Sequence, residues 1–213
     1  MESREKKSRR TEAAETSKQK ILEAAETVFA EKGYDAASLQ EICDLAGVTR
    51  GLPNYFFGSK ENLYRAVLDR AFTRAQDLIA FIHTQAQKPD ANVEEILRAV
   101  IDRLFDDFVT HPIFVRLAEW EALHGARYLG DLPSQFQILH HAIQALQEDL
   151  GWHGDAEQFL IDLVALCWFP TAHAGTFLKP LGVNAHDPAF QARYKQHIAQ
   201  LLLGQGTEPP GER

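Results

Sequence analysis

Apolar residues recur at intervals of three and four along almost the whole chain, and no stretch alternates with the period of two that marks a half-buried strand. The segment over residues 17–32 is typical. It places Ile21, Ala25 and Val28 on one helical face, and Gly33 follows where a left-handed residue can end the helix. The pattern predicts an all-α fold of about nine helices without a sheet.

Composition sets the broad class of the protein. With 213 residues, of which 45% are hydrophobic and 24% charged, the chain can bury a core without a disulfide or a structural metal. Its two cysteines, Cys43 and Cys167, are far apart in sequence and fit a reducing compartment. The N-terminus lacks an apolar signal segment, and the longest apolar run, residues 163–169, is too short for the roughly 20 residues that span a bilayer. We expect a soluble, cytoplasmic protein without a membrane partner.

The net charge of −8 is unevenly distributed. Residues 1–75 carry 13 basic and 12 acidic side chains, whereas residues 76–213 carry 9 basic and 18 acidic ones. The first ten residues alone hold five basic and two acidic side chains. This asymmetry suggests an N-terminal part that faces a polyanion and an acidic remainder. A solvated basic tail without a partner explains the charge pattern equally well.

Residues 38–57 have the pattern of a helix-turn-helix. Ser38 and Glu41 have the spacing of a capping box, which would open the first short helix. Gly47 supplies a tight turn because it adopts positive φ without the penalty of a Cβ atom. Thr49 can cap the second short helix.

The two short helices divide their side chains between an inner and an outer face. The apolar residues that can meet inside the angle are Ile42, Leu45, Val48, Leu52 and Phe56. The residues left facing outward are Thr49, Arg50, Asn54 and Tyr55. Hydroxyl and amide groups bond phosphates or base edges, and an arginine can fork onto guanine. The outer face suits DNA, although an ordinary corner between two helices would share this generic pattern.

A wider match singles out one family. Residues 21–64 contain an Ala-Ala-x-x-x-Phe-x-x-x-Gly-Tyr run, a Ser-x-x-x-Ile helix, Ala-Gly-Val-Thr-x-Gly and Phe-x-Ser-Lys-Glu-x-Leu. In these pieces the chain resembles the DNA-binding domain of the TetR family of bacterial transcriptional regulators. The resemblance implies a three-helix head and a helical body that dimerises through its last two long helices. It further implies a regulator, in the usual case a repressor, whose palindromic DNA operator is released when an unknown small-molecule effector binds the body. No cofactor is implied.

The resemblance also assigns the DNA contacts. It places phosphate contacts at Ser38 and Gln40, at the start of the supporting helix, and at Lys60, at the start of the fourth helix. The residues on or beside the recognition helix are Thr49, Arg50, Gly51, Asn54 and Tyr55.

The sequence departs from the family at Pro53-Asn54, where Leu-Tyr is usual. The usual tyrosine contact to phosphate is therefore lost or shifted to Tyr55. Pro53 fits the helix if the first turn begins near Arg50, and otherwise it distorts the recognition helix.

The expected domains are a flexible basic arm (1–15), the helix-turn-helix head (16–75), the effector-binding and dimerisation body (76–204) and a flexible tail (205–213). Nothing in the body resembles a catalytic motif, so we expect no enzyme. The side chains that could line an effector pocket, or simply form core, are Phe105, Trp120, Trp168, Phe169 and His173. The side chains expected at the dimer interface are Leu163, Leu166, Tyr194, Ile198 and Leu201.

Two other hypotheses remain open at this level. The Pro53 departure allows a helical interaction protein whose head does not bind DNA. An α-helical metalloenzyme is the second, because Glu121 and His124 have the i, i+3 spacing of di-iron bundles. A single such pair, without a wider ligand cluster, is weak support for a metal.

Overall fold

The computed structural model describes the backbone of residues 2–73, 75–129 and 134–204, and the side chains of residues 11–71, 76–129, 137 and 139–204. Over these backbone ranges the chain forms ten α-helices and no strand, which confirms the all-α class. Over these ranges the structure has one helix more than the nine predicted. The apolar pattern of the sequence predicts a single long helix from Ser59 past Leu78, whereas the structure has two helices there. These two helices lie on either side of residue 74, which is outside the described residues.

Capping side chains mark the start of several helices. Asn92 caps one of them by accepting hydrogen bonds from the amides of Glu94 (2.9 Å) and Glu95 (3.2 Å). The full set is α1 (Glu2–Ala36), α2 (Leu39–Ala46), α3 (Leu52–Phe57), α4 (Lys60–Thr73), α5 (Ala75–Ala86), α6 (Val93–Thr110), α7 (Pro112–Leu123), α8 (Ser134–Leu150), α9 (Ala156–Ala172) and α10 (Pro188–Leu203).

The N-terminal segment differs from the expected flexible arm. Helix α1 begins at Glu2, so residues 2–15 have helical backbone. Residues 2–20 contain neither glycine nor proline and are rich in Glu, Lys, Arg and Ala, which are strong helix formers, so the helix extends backwards from its packed part. The tail predicted over residues 205–213 lies outside the described residues.

The chain divides into two compact units. The N-terminal unit comprises Met1–Phe72 together with Arg116–Gly130, and the C-terminal unit comprises Thr73–Val115 and Asp131–Arg213. The first division lies close to the predicted boundary at residue 75. The membership of Arg116–Gly130 in the N-terminal unit is not predicted, because helical periodicity shows that a helix has a buried face but not which core that face joins.

Helices α1, α2 and α3 pack against one another in the N-terminal unit. Its fully buried side chains include Ile21, Phe29, Ile42, Leu63, Val67 and Leu68. In the C-terminal unit α5 packs on α6 and α8, and α6 packs on α9 and α10. Its fully buried side chains include Ile82, Leu97, Val100, Ile101, Phe105, Ile143, Leu146, Leu163, Cys167 and Ile198. Each unit therefore has its own hydrophobic core.

Pro170 lies close to the end of α9, as expected of a residue that interrupts helical hydrogen bonding. The helix ends at Ala172, and short π-helical and 3₁₀ turns follow over Ala174–Leu181. Among the described residues no single helix is long and apolar enough to cross a membrane. By length and composition alone, α9 and the turns after it pass that test as a pair bent by 66°.

Gly33 interrupts α1 with φ 72° and ψ 177°, a backbone conformation that is almost restricted to glycine. A Cβ atom at this position would lie 2.9 Å from Cδ2 of Trp120. The Trp120 indole N–H donates to the carbonyl of Ala30 at 3.2 Å. The glycine therefore allows both the backbone turn and the close packing of the Trp120 ring.

We expect Gly33→Ala to lower the free energy of unfolding by about 2–4 kcal/mol, because it adds backbone strain to a steric clash with Trp120. Gly125→Ala is the matched control. It also has positive φ (69°) in the N-terminal unit, but a Cβ there would meet nothing within 4 Å, so only about 1–2 kcal/mol of backbone strain is expected. Urea denaturation of both variants measures the difference, and equal losses would show that the Trp120 contact contributes nothing.

Candidate nucleic-acid interface

Helix α2 starts with the predicted capping box. The amide of Glu41 donates to the Ser38 hydroxyl at 3.2 Å, and the amide of Ser38 donates to the Glu41 carboxylate at 3.1 Å. Lys32 at the end of α1 also donates to this carboxylate. The hydrogen bond from Lys32, followed by those from Ser38, lowers the pKa of Glu41 below its ordinary value. The start of α2 is thereby fixed to the end of α1.

The turn between α2 and α3 depends on Gly47, which adopts the left-handed conformation with φ 66° and ψ 37°. The amide of Val48 donates to the carbonyl of Cys43 at 3.0 Å, which closes the turn. Ile42 and Cys43 are the buried residues of α2. Leu45 is predicted to lie inside the angle between the two helices, but it is 57% exposed, so that prediction is wrong. At 100° per residue it projects more than a quarter-turn away from the face centred on Ile42 and Cys43.

Pro53 does not distort α3. The helix begins at Leu52, directly after its capping residue Gly51. Pro53 therefore lies in the first turn, where a backbone N–H would have no intrahelical partner. The remaining bonds are intact, with the amide of Tyr55 donating to Gly51 at 3.0 Å and the amide of Gly58 donating to Asn54 at 2.9 Å. The predicted cap by Thr49 is wrong. Gly51 is the capping position, and no side chain caps the helix.

The five residues predicted on or beside the recognition helix are all exposed; they are Thr49, Arg50, Gly51, Asn54 and Tyr55. Tyr55 is 78% exposed, and its ring leans edge-on against Phe56 with a centroid distance of 5.0 Å. The opposite side of the segment faces the interior, since Pro53 is buried and Leu52 and Phe56 are half-buried. The turn before α3 thus exposes a hydroxyl and a guanidinium group, and α3 itself exposes an amide and a phenol.

Two predicted phosphate contacts, Ser38 and Lys60, both lie beside the turn between α1 and α2. Ser38 is exposed. Lys60 begins α4, and its ammonium lies 4.5 Å from the centre of the Tyr34 ring and 3.5 Å from the carbonyl oxygen of Asp35, three residues before Ser38. Gln40, the third, is half-buried, and its amide donates to Asp44 within α2.

The predicted pocket residues are divided between the two units and make separate contacts. Trp120 belongs to the N-terminal unit, where it packs on Gly33. In the C-terminal unit, Phe105 and Trp168 have separate aromatic neighbours: Phe105 contacts Tyr194 (5.8 Å between ring centroids), and Trp168 contacts Phe108 (5.3 Å) and Phe114 (5.7 Å). Phe169 contacts His173 at 4.6 Å and Phe177 at 5.2 Å. Because these aromatic residues are spaced along different helices, they pack in separate places.

The C-terminal unit instead contains a groove of about 580 Å³ between the start of α6, the start of α9 and the end of α10. Apolar side chains, including Leu97, Phe159 and Leu166, cover much of it, and the Trp152 ring packs edge-on against Phe159 at 5.3 Å. Its carboxylates are Glu94, Asp155 and Asp162. This groove is not predicted from the sequence. The feature that could have indicated it is Trp152, a large aromatic residue between two glycines.

The predicted dimer residues also divide. Leu163 and Ile198 are fully buried within the C-terminal unit, so their prediction as dimer residues is wrong. They belong to the core rather than to a surface. Leu166 and Tyr194 are half-buried and joined by a hydrogen bond from the Tyr194 hydroxyl to the Leu166 carbonyl at 3.2 Å. Leu201 is 38% exposed. An apolar helix around Leu163 buries one face inside its own unit, and the pattern alone does not separate that face from a dimer face.

The exposed face of α9 carries a different apolar stripe. Ile161, Ala165 and Phe169 are all exposed and are spaced four residues apart, so they lie in one row along the helix. Ile161 is 55% exposed, which is high for an isoleucine in a folded chain.

Glu121 and His124 do not form a metal site. The two carboxylate oxygens of Glu121 accept hydrogen bonds from the Tyr64 hydroxyl (2.8 Å) and the Tyr128 amide (3.0 Å). The ring of His124 bonds to the carbonyl of Trp120 at 2.7 Å. Across the part of the chain that the structure describes, no three His, Cys, Asp or Glu side chains are grouped to hold a metal ion.

The fold and the exposed face of α3 define a helix-turn-helix DNA-binding protein. Two family models match the chain: bacterial regulatory proteins of the tetR family over residues 21–67, and the tetracyclin repressor-like C-terminal domain over residues 94–202. The chain belongs to the TetR family of bacterial regulatory proteins and is a DNA-binding transcriptional regulator.

Similar proteins cover nearly the whole chain. The transcriptional repressor NicS of Pseudomonas putida is 25% identical over 204 residues, covering 91% of this chain and 94% of NicS. The transcriptional regulator RutR of Escherichia coli K12 is 29% identical over 210 residues, covering 94% and 95%. Among solved structures, a regulator from Streptomyces coelicolor superimposes with a TM-score of 0.68 at 20% identity, covering 87% of this chain and 97% of that one. The fatty acid degradation regulator FadR from Bacillus halodurans gives 0.67 at 19% identity, covering 90% and 96%.

The lowered pKa of Glu41 makes the capping box sensitive to pH. Its stabilising contribution is present above the unfolded pKa of about 4.3 and is lost as the pH falls through the lower folded pKa. We therefore expect wild type to exceed Glu41→Gln in unfolding free energy at pH 6, and this advantage to shrink toward pH 3. Denaturant titrations at several pH values measure it. A difference that does not change with pH would contradict the assignment, and added salt should reduce it because the pair with Lys32 is exposed.

Proposed function

We propose that the protein binds a palindromic operator as a homodimer, represses transcription there, and is released when a small-molecule effector binds the C-terminal unit. The observation that carries this proposal is the accessible polar side of α3, held in place by the Gly47 turn. The name of NicS, a repressor, supports repression as the direction of regulation. An operator on the bacterial chromosome implies a cytoplasmic protein whose role is binding rather than catalysis.

The proposed contacts divide into two kinds. Arg50 and Asn54 have the side chains that pair with guanine and adenine edges in the major groove, and we assign them to base readout. Ser38 and Lys60, beside the turn between α1 and α2, are assigned to the phosphates that flank the groove. The amides at the start of α4 add a favourable field for a phosphate. The DNA-binding surface is therefore small, which is compatible with a chain of net charge −8.

Operator binding should depend on these side chains and on salt. We expect the chain to shift a DNA fragment from its own upstream region, with an affinity that falls steeply as salt rises. Arg50→Ala should cost about 1–3 kcal/mol and relax specificity, whereas Lys60→Ala should weaken binding to all sequences and reduce the salt slope by about one unit per subunit. Fluorescence anisotropy at four salt concentrations measures both effects.

Arg98→Ala is the matched control. It removes an arginine that is paired with Glu94 on the surface of the C-terminal unit, and binding should be unchanged. If wild type binds no better than the Arg50→Ala, Lys60→Ala double variant, the chain does not bind operators in this way.

We assign dimerisation to the α9 stripe of Ile161, Ala165 and Phe169, of which Ala165 also lines the groove beside Trp152. A row of exposed apolar side chains on a long helix is costly in water unless a second surface covers it. A two-fold axis makes the same stripe available on each copy, so one patch can cover the other. The same symmetry would place two recognition helices about 34–36 Å apart, on successive major grooves.

Ile161→Asp should weaken the dimer, because it would bury a carboxylate without a partner within the stripe. We expect sedimentation velocity at micromolar concentration to show a shift toward monomer. Leu123→Asp is the control, since Leu123 is 75% exposed in the N-terminal unit and lies outside the stripe. If both variants sediment like the wild type, the stripe is not the interface.

For the effector we propose the groove beside Trp152 and Phe159. Its volume of about 580 Å³ falls within the range of roughly 300–1,000 Å³ typical of small-molecule sites. Apolar contact with orienting carboxylates at Glu94, Asp155 and Asp162 fits a ligand with both apolar and polar groups. A coupling free energy of about 1–3 kcal/mol between effector and DNA is enough to lower operator affinity by five- to 150-fold.

A further inference from the structure

A buried carboxylate organises part of the N-terminal unit. Glu121 is only 2% exposed, and one oxygen accepts from the Tyr64 hydroxyl at 2.8 Å while the other accepts from the Tyr128 amide at 3.0 Å. A carboxylate is removed from water at high cost unless hydrogen bonds compensate it. Glu121 therefore holds Tyr64 of α4 and the backbone of Tyr128 in fixed positions relative to each other.

The rings of these two tyrosines meet a third. Tyr64 and Tyr128 are in edge contact with a centroid distance of 5.3 Å. Tyr34, at the end of α1, contacts both of them, at 5.2 Å and 4.4 Å. Desolvation raises the pKa of Tyr64 and of Tyr34, so both phenols stay neutral and the Tyr64 hydroxyl remains a donor to Glu121. The three rings form one packed cluster.

Lys60 rests on this cluster. Its ammonium lies 4.5 Å from the centre of the Tyr34 ring, within the range of a cation–π contact, and 3.5 Å from the carbonyl oxygen of Asp35. A free lysine side chain samples many rotamers, and restricting it before DNA arrives lowers the entropy lost on binding. The Tyr34 ring thus keeps the ammonium beside the end of α1, at the carbonyl of Asp35.

We propose that Glu121 is a positioning residue for DNA binding, which acts through Tyr64, Tyr128 and Tyr34 to hold the Lys60 ammonium at the phosphate-facing edge of the head. The proposal rests on the proposed function of Lys60 as a phosphate contact. It makes the DNA-binding surface depend on residues 121 and 128, which lie outside the 21–67 segment matched by the DNA-binding family model. The head is therefore completed by a segment more than 40 residues further along the chain.

A purely structural cluster would stabilise the unit without acting through Lys60, and a double-mutant cycle separates the two cases. Tyr64→Phe is the test variant because it removes the hydrogen bond to Glu121 and keeps the ring. We expect it to weaken operator binding about fivefold and to reduce the salt slope in the same direction as Lys60→Ala. In the Lys60→Ala background Tyr64→Phe should change affinity by less than about twofold, whereas in the Arg50→Ala background its full effect should remain.

Trp120→Phe is the control for general destabilisation. It removes the hydrogen bond from Trp120 to Ala30, which also joins residues 116–129 to α1, but it does not break the contacts from Glu121 to Lys60. Its effect should be the same with and without Lys60→Ala. All affinities are measured well below each variant's melting temperature, with circular dichroism to confirm folding.

Two results would overturn the proposal. If Tyr64→Phe weakens binding by the same factor in the wild-type and Lys60→Ala backgrounds, the cluster is only structural. If Lys60→Ala leaves the affinity and salt slope unchanged while Arg50→Ala weakens binding, Lys60 is not a phosphate contact, although the protein still binds its operator. Absence of any operator binding by wild type would instead reject the proposed function itself, and the positioning role with it.

Discussion

The DNA-binding surface depends on packing between helices, because its recognition helix is too short to be stable alone. Helix α3 has six residues, and isolated helices shorter than about 12–15 residues are marginal in water. Its conformation is imposed by the buried Pro53, by the left-handed Gly47 and by the inner face of α2 at Ile42 and Cys43. The side chains proposed to meet DNA are exposed only because the residues between them are held in a core.

That core is not built from the N-terminal segment alone. Trp120 packs against the backbone of Gly33, and Glu121 links Tyr64 to the backbone of Tyr128. A buried carboxylate with both oxygens satisfied requires its partners to be in fixed positions, so it adds specificity as well as contact. The segment 116–129 is for this reason a structural part of the DNA-binding unit.

Charge and function are divided along the chain in the same way as the cores. The net negative charge is concentrated after residue 75, where it would repel DNA, while the proposed DNA contacts are a few side chains and helix starts in the first 60 residues. The apolar stripe on α9 and the groove beside Trp152 belong to the C-terminal unit. The net charge of −8 is therefore not representative of either the DNA-binding part or the C-terminal part of the chain.

The sequence by itself determined the helical class, the capping box at Ser38, the turn at Gly47 and the exposed side chains of α3 and the turn before it, because these depend on periodicity and on local backbone chemistry. Tertiary structure alone decided that Leu45 is exposed, that Leu163 and Ile198 are core, that Trp120 joins the N-terminal unit, and that Pro53 fits its helix. An amphipathic pattern shows that a helix has a buried face but not its partner, since the partner is chosen by contacts between residues far apart in the chain.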